Sequence, residues 1–489
     1  MTYGRDADDL NRFGYAQELL RSMGGFSNFA ISFSIISILT GTVTLFGYGL
    51  EMGGPLEMSL GWPIATLFML LVAASMAELC SAYPTSGAMY HWASALGGPG
   101  WGWFCALLNL IGLIAALSGI DYSCAQFVLP FAGLPTTPAN LFLAFAAILL
   151  TQGVLNHFGV RLIAILNDLS VVVHIAGLAA VVCAVFWLAP LQPISFLSRA
   201  INSNGRSPYV WAFLLGLLQA HWTYTGFDGS AHMAEETEDP RRRAPWGIVL
   251  SVAVSGIAGY LLVIALTLAT RDISGVLQAK DTRGNPVPAA VAILQFALGV
   301  RFGNALSALA SVAMWFCGLA CITSASRAVY ALARDNGMPA AAVFRKIDTR
   351  HGTPGPAIWG IVGSALIAMA WSGAVPIVTS LSTISLYGAY IIPIALGMRA
   401  RWTQPEWTRA AVWNLGRYGA AVNAIAIVYT VFIAFVLSMP PNELAGKTFL
   451  GVVAGLAALY FLVVRPRFHG PEFGRPGHPN LSGKADAHL

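Results

Sequence analysis

Asp228, His232 and Glu235 fall at i, i+4 and i+7, on one face of a helix, and His221 precedes them. Carboxylates and imidazoles so spaced can bind a zinc ion or relay a proton. A zinc catalyst also needs an open water position and partners that orient its ligands. No second His/Asp cluster stands on another apolar stretch. An intramembrane metalloenzyme is therefore the weaker reading, and neither a metal nor an organic cofactor is expected. The proton reading centres on Asp228. An ionisable group inside an apolar stretch is costly and by default functional, and Asp228 directly follows Thr225-Gly226-Phe227. It is expected to hold a proton or attract an ammonium. The competing reading is that it caps the helix that follows.

Other polar groups interrupt apolar stretches. Asp121, in Gly119-Ile120-Asp121-Tyr122, is a candidate substrate contact. His174 is a candidate proton relay, because imidazole titrates near physiological pH; a hydrogen-bonded core histidine is the alternative. Glu78 reads as structural. Thr323 and Ser324 have the hydroxyls a sodium ion needs, although such groups also bond to the preceding helical turn; sodium is the less favoured coupling ion. Glu235, Glu236, Glu238 and Asp239, followed by Arg241, Arg242 and Arg243, read as a charge-paired hinge held by Pro240 and Pro245. The nearly uncharged Tyr83 to His91 reads as an interfacial gate.

The elements carrying these groups are apolar and long. Of 489 residues, 56% are hydrophobic and 10% charged, against about 25% charged in a soluble domain. Too little charge remains for a water-facing surface, so lipid is the expected solvent. A membrane-crossing helix needs about 20 apolar residues. Such stretches lie near 26–50, 62–82, 101–130, 139–157, 162–189, 209–233, 246–270, 304–330, 355–374, 376–397, 412–438 and 448–464, which predicts an all-α integral membrane protein of 12 transmembrane helices. The polar opening followed by a long first run predicts a first span rather than a cleaved signal. All six cysteines lie in apolar runs without a CxxC pair, as expected of small core residues.

Lys and Arg set the expected orientation. With the N-terminus inside, 20 of the 27 fall in inner segments and 7 in outer ones. The positive-inside rule then puts both termini in the cytoplasm of a multi-pass protein of the plasma or inner membrane. The net charge of +5 is explained by this topology, and no nucleic-acid partner is expected. The expected divisions are a tail over 1–25, a core over 26–397 made of halves 26–189 and 209–397, accessory helices over 398–464, and a tail over 465–489.

Two spans are predicted to break. The first carries Ser37-Ile38-Leu39-Thr40-Gly41-Thr42-Val43-Thr44 and the sixth His221-Trp222-Thr223-Tyr224-Thr225-Gly226-Phe227-Asp228. Both place a Thr-Gly step and hydroxyls mid-span, where helix propensity falls. Irregular backbone at that depth is tolerated only where it lines a cavity or is buried in protein. The two are five spans apart, so one lies inverted relative to the other. Interrupted helices in matching places of two inverted halves point to a transporter's binding site. Small-residue packing faces are the competing explanation.

The run Gly25-Phe26-Ser27-Asn28-Phe29-Ala30 leading to Ser34-Ile35-Ile36-Ser37-Ile38-Leu39-Thr40-Gly41 resembles the opening of the amino acid–choline transporter family, within the amino acid–polyamine–organocation superfamily. Ala77 to Gly87, Gly226 to Thr237, and Ser326 to Asp335 with Gly337 and Pro339 agree with it, so the resemblance spans roughly residues 10–465. It implies a LeuT-type fold: a 5+5 inverted repeat with broken helices 1 and 6, plus two C-terminal helices. It implies alternating access for an amino acid, 4-aminobutyrate, choline or polyamine, by proton symport or exchange. Carried over residue by residue, Leu39, Thr40, Gly41, Thr42 and Val43 would cradle the substrate carboxylate. The backbone from Trp222 through Thr223, Tyr224 and Thr225 to Gly226 would face the amine. Trp222 matches a substrate-capping Trp of arginine–agmatine antiporters, and Asp228 matches their proton-sensing Glu, one methylene shorter. Cys321 and Ile322 would line the pocket from the eighth span.

Overall fold

The computed structural model describes residues 10–282, 284–372 and 375–471. The C-terminal tail expected over 465–489 therefore lies mostly outside the described residues, as do residues 1–9 of the N-terminal one. Among the described residues the chain is helical, without strands. We number the principal helices α1 (Gly25–Ile36), α2 (Ile38–Met52), α3 (Gly54–Ala82), α4 (Met89–Gly97), α5 (Pro99–Phe131), α6 (Pro138–His157), α7 (Val160–Leu188), α8 (Tyr209–Gly216), α9 (Leu218–Thr223), α10 (Gly229–His232), α11 (Pro240–Ala269), α12 (Ala289–Leu298), α13 (Val300–Arg334), α14 (Gly355–Ser372), α15 (Val375–Thr403), α16 (Gly419–Leu437) and α17 (Glu443–Leu459).

Local chemistry sets several starts. Proline occupies the first turn of α5, α6 and α11, where its missing N–H is not needed. The Thr137 hydroxyl accepts from the Asn140 N–H at 3.3 Å and caps α6. Among the described residues each apolar stretch read from the sequence contains helix, and ten helical units, α1 and α2 counted together, are long and apolar enough to cross a membrane. Large apolar side chains face outward on them: Trp187 is 81% exposed, Ile367 73% and Leu462 79%. In water such a surface would be an aggregation site; against lipid tails it is the solvent-facing side.

The residues before α1 are not a free tail. Leu10, Tyr15, Leu19, Arg21 and Met23 are buried. The N–H groups of Ser22 and Met23 donate to the Glu236 carbonyl at 3.0 and 2.9 Å, and Gln17 donates to the Glu235 carbonyl at 2.9 Å. This segment straps across the ends of the sixth and eighth spans.

Candidate functional site

The first span breaks at Ser37, which adopts φ 39°, ψ 79°. A left-handed conformation costs a side-chain-bearing residue about 1–2 kcal/mol. Hydrogen bonds offset it: the Ser37 hydroxyl reaches Thr40 Oγ1, and His174 Nε2 at 2.8 Å. His174 Nδ1 donates to the Ser170 carbonyl at 2.8 Å, so Nε2 accepts from Ser37. The break thus lies four residues before the predicted Thr40-Gly41 step. The helix resumes at Ile38, and Leu39, Thr40, Gly41, Thr42 and Val43 are helical and buried rather than unwound. Gly41 serves clearance instead: a Cβ there would stand 2.1 Å from Thr223 Oγ1. The first bond of α2 runs from the Gly41 N–H to the Ser37 carbonyl at 3.0 Å. The N–H groups of Ile38, Leu39 and Thr40 precede that ladder and point from a positive helix end.

The sixth span breaks where predicted, between Thr223 and Gly229. Gly226 has φ 87°, a conformation open chiefly to glycine. Its N–H donates to the Tyr390 hydroxyl at 3.1 Å, and the Thr225 N–H turns back to the Trp222 carbonyl at 3.1 Å. The carbonyls of Thr223 and Tyr224 lie past the end of the α9 ladder. The two breaks meet: a Cβ on Gly226 would come 2.0 Å from Ile35 Cγ2. The halves pair across the junction. Ser32 Oγ donates to the Phe227 carbonyl at 2.6 Å and accepts from the Ser230 N–H at 2.7 Å, and Asn28 donates to the Ser230 carbonyl at 2.9 Å. These bonds join α1 to α10, while Gly41 seats α2 on α9.

Asp228 follows the break fully buried. Its Oδ1 accepts from Tyr390 at 2.7 Å, its Oδ2 from Asn109 at 3.0 Å, and His232 Nε2 stands 3.3 Å from Oδ2. It makes no capping bond to α10, so that reading fails. The zinc quartet is dispersed. His221 is held at both ring nitrogens by Tyr387 and Tyr429, each at 2.8 Å, and Glu235 pairs with Arg334 at 3.0 Å.

Other candidates divide. Trp222 is buried beside the break. Tyr224 turns away from it, its hydroxyl on Thr66 and its ring 5.3 Å from that of Trp62. Cys321 and Ile322 are buried on α13, and one turn earlier Cys317 Sγ donates to the Ile35 carbonyl at 3.1 Å. Asp121 points between α6 and α13: Gln152 donates to its Oδ1 at 3.0 Å, and a Cβ on Gly318 would lie 2.2 Å from that oxygen. Thr323 donates to Asn156 of α6 at 2.7 Å, and the neighbouring Ser324 hydroxyl is buried without a partner. Glu78 meets Arg401 and accepts from the Leu415 N–H at 3.0 Å, as a structural residue should.

Two groups escape sequence reasoning and a third is only half legible in it. Tyr390 joins the break to Asp228 across 162 residues of sequence. Glu57, 1% exposed, is hemmed by Gly49, Gly53, Gly61, Gly216 and Gln219, and its Oε2 has no partner. The third is a buried polar seal on the side of the N-terminal segment. Arg327 donates to Glu236 at 2.7 Å with both side chains fully buried, and Arg334 stacks 3.7 Å over the Tyr15 ring while pairing with Glu235. Asp335 accepts from Tyr15 at 2.8 Å and Tyr90 at 2.7 Å, with His91 Nε2 at 3.5 Å. Burial pushes the His91 imidazole below its ordinary value. Glu235 and Glu236 of the acidic run after the sixth span therefore pair with α13, while Glu238 meets Arg243 at 2.8 Å. Tyr83 to His91 is drawn into the same seal.

The family described as amino acid permease matches residues 23–463. The chain is 35% identical to amino-acid permease BAT1 of Arabidopsis thaliana, over 94% of this chain and 95% of that protein. It is 33% identical to the amino-acid permease BAT1 homolog of Oryza sativa subsp. japonica, over 94% of each. A GABA-specific permease of Saccharomyces cerevisiae is 26% identical over 94% of this chain and 85% of that protein.

Proposed function

The chain belongs to the amino acid permease family, and from that premise we propose that it carries an amino acid or a related amine through the junction of the two breaks by alternating access. One observation carries the reading. Two apolar helices give up backbone bonding side by side, at Ser37 and at Gly226, where the paired halves touch through Ile35. The free N–H groups at Ile38 to Thr40 suit a carboxylate. The carbonyls beyond Thr223 suit an ammonium, and Trp222 closes over the cargo. The similarity to a GABA-specific permease extends the cargo class to 4-aminobutyrate; choline and polyamines are the wider alternatives.

The helices are arranged in twelve spans as two inverted repeats with two accessory helices, and both termini lie in the cytoplasm of a cell membrane. In this arrangement the Arg327–Glu236 and Arg334–Glu235 pairs close the inner side, and movement of α1 with α10 opens it. Asp228 supplies the coupling proton site. It can pass charge to His232 at 3.3 Å without leaving its hydrogen bonds to Tyr390 and Asn109. His174, bonded to Ser37, reports the state of the first break and is a second place for the proton.

Asp228→Asn is expected to fold, since Asn keeps an acceptor for Tyr390, and to lose the acceleration of uptake at acidic outside pH in proteoliposomes. An unaltered pH profile would remove Asp228 from coupling. The cargo is found by thermal unfolding of the purified protein against amino acids, 4-aminobutyrate, choline and polyamines, because a ligand of the folded state raises its melting point. Stabilisation by at least one amino acid or 4-aminobutyrate supports the reading; no shift with any of them at millimolar concentration counts against it.

A further inference from the structure

His157 ends α6, and the turn 348–353 before α14 brings Asp348 and His351 against it. His157 Nε2 lies 3.6 Å from Asp348 Oδ2, and His351 Nδ1 lies 3.1 Å from the same oxygen. One ligand atom from each residue lies within 4.8 Å of the others. Ligand atoms about 2.0–2.1 Å from a tetrahedral zinc ion stand about 3.3–3.4 Å apart, close to both of the measured edges. We propose that His157, Asp348 and His351 form a transition-metal site on the face that carries the N-terminal segment, with zinc as its ion and water at the fourth position.

The surroundings suit a ligand set. Asp348 Oδ1 accepts from the backbone N–H groups of Arg350 at 2.8 Å and His351 at 3.3 Å, which orients Oδ2 toward the two rings. The turn is fixed to the helix that presents His157. Thr353 Oγ1 donates to the His157 carbonyl at 3.0 Å, and the Asp348 N–H donates to the Thr353 carbonyl at 2.8 Å. The His157 ring lies over Gly355, and its Nδ1 is buried without a hydrogen-bond partner. The three side chains are 21–32% exposed, which leaves an entry path. Two imidazoles and a carboxylate select zinc or a neighbouring transition metal over calcium and magnesium, which require oxygen ligands. The site stands apart from both breaks. It joins α6 to the approach of α14, and both helices also pack against α13. A bound ion would rivet elements already packed together, so stability is the quantity it should change most.

The test uses the purified full-length chain with a non-histidine tag, stripped with chelator and titrated with zinc chloride, then in parallel with cobalt chloride. Wild type is expected to bind one equivalent of zinc at micromolar or tighter affinity with a higher melting temperature. Cobalt should show the visible absorption of a four-coordinate ion. His157→Asn and His351→Asn should each weaken zinc binding by about a hundredfold or more, while their metal-free melting temperatures stay near that of wild type. His469→Asn, at an exposed histidine near the C-terminal end of the described residues, should bind as wild type does. Zinc affinity unchanged in both site variants, or no zinc bound by wild type at tenfold excess, would overturn the proposal.

Discussion

Gly226→Ala is expected to cut initial uptake per folded transporter to background. Two costs act at once. The added Cβ would lie 2.0 Å from Ile35 Cγ2, far inside contact distance, and the backbone at φ 87° disfavours any side chain, by about 1–2 kcal/mol. Ile35 cannot simply swing away, because it belongs to the last turn of α1, where its carbonyl accepts from Cys317 and its chain also borders Gly229. The clash therefore pushes the two breaks apart at the junction where cargo would bind. The paired variant Gly226→Ala with Ile35→Ala separates the two costs. It removes the steric term and leaves the conformational one, so uptake should return to within roughly five- to thirtyfold of wild type, the equivalent of that 1–2 kcal/mol. Wild-type uptake by Gly226→Ala alone would mean that the close approach of the breaks has no part in transport.

Arg327→Ala is expected to destabilise the protein by about 3–5 kcal/mol, because it strands a carboxylate in a site without water. Glu236 and Arg327 are both fully buried, bonded at 2.7 Å through Nε, with a second contact of 3.4 Å from Nη2 to Oε2. The backbone carbonyl of Glu236 also anchors Ser22 and Met23, so the loss should free the N-terminal strap. Thermal unfolding in detergent reads the first effect, and protease access to residues 10–23 reads the second. Replacing both partners by apolar residues of similar size, Arg327→Met with Glu236→Leu, should recover most of the stability, since the desolvation cost is then gone with the pair. It should not recover transport, because a greasy contact does not part into water and reseal as an ion pair can. A single Arg327→Ala variant as stable as wild type would contradict the assignment of this pair as the seal.

The overall architecture was legible because lipid leaves a coarse mark. Runs of about 20 apolar residues fixed the helices to within a few residues over most of the chain, although α3 begins at Gly54, eight residues before its expected start. The reason is local: Glu57 is buried among glycines, so the helix carries a charged residue inside it upstream of the apolar run. The sixth-span break was legible because glycine at positive φ, flanked by hydroxyls, has few other uses mid-span. The first break was misplaced for the same reason in reverse. Gly41 looked like a breaker but provides room for Thr223, whereas Ser37 breaks the helix through side-chain bonds to Thr40 and His174. A serine carries no signal for such a partner 137 residues away. Family membership, by contrast, rested on four ordered motifs and was visible from the residues alone. The seal is half legible: the acidic run after the sixth span and the stretch holding Arg327 both stand out, but nothing in the sequence says that they face each other.

Counterflow tests the central claim most directly. Proteoliposomes preloaded with an unlabelled amino acid identified by thermal stabilisation are diluted into a trace of the same compound, labelled. A carrier whose single site faces each side in turn should accumulate label transiently above equilibrium, and Gly226→Ala should abolish the overshoot. Label that enters along a simple approach to equilibrium, at a rate indifferent to the preload, would contradict a site that grips its cargo between Ser37 and Gly226.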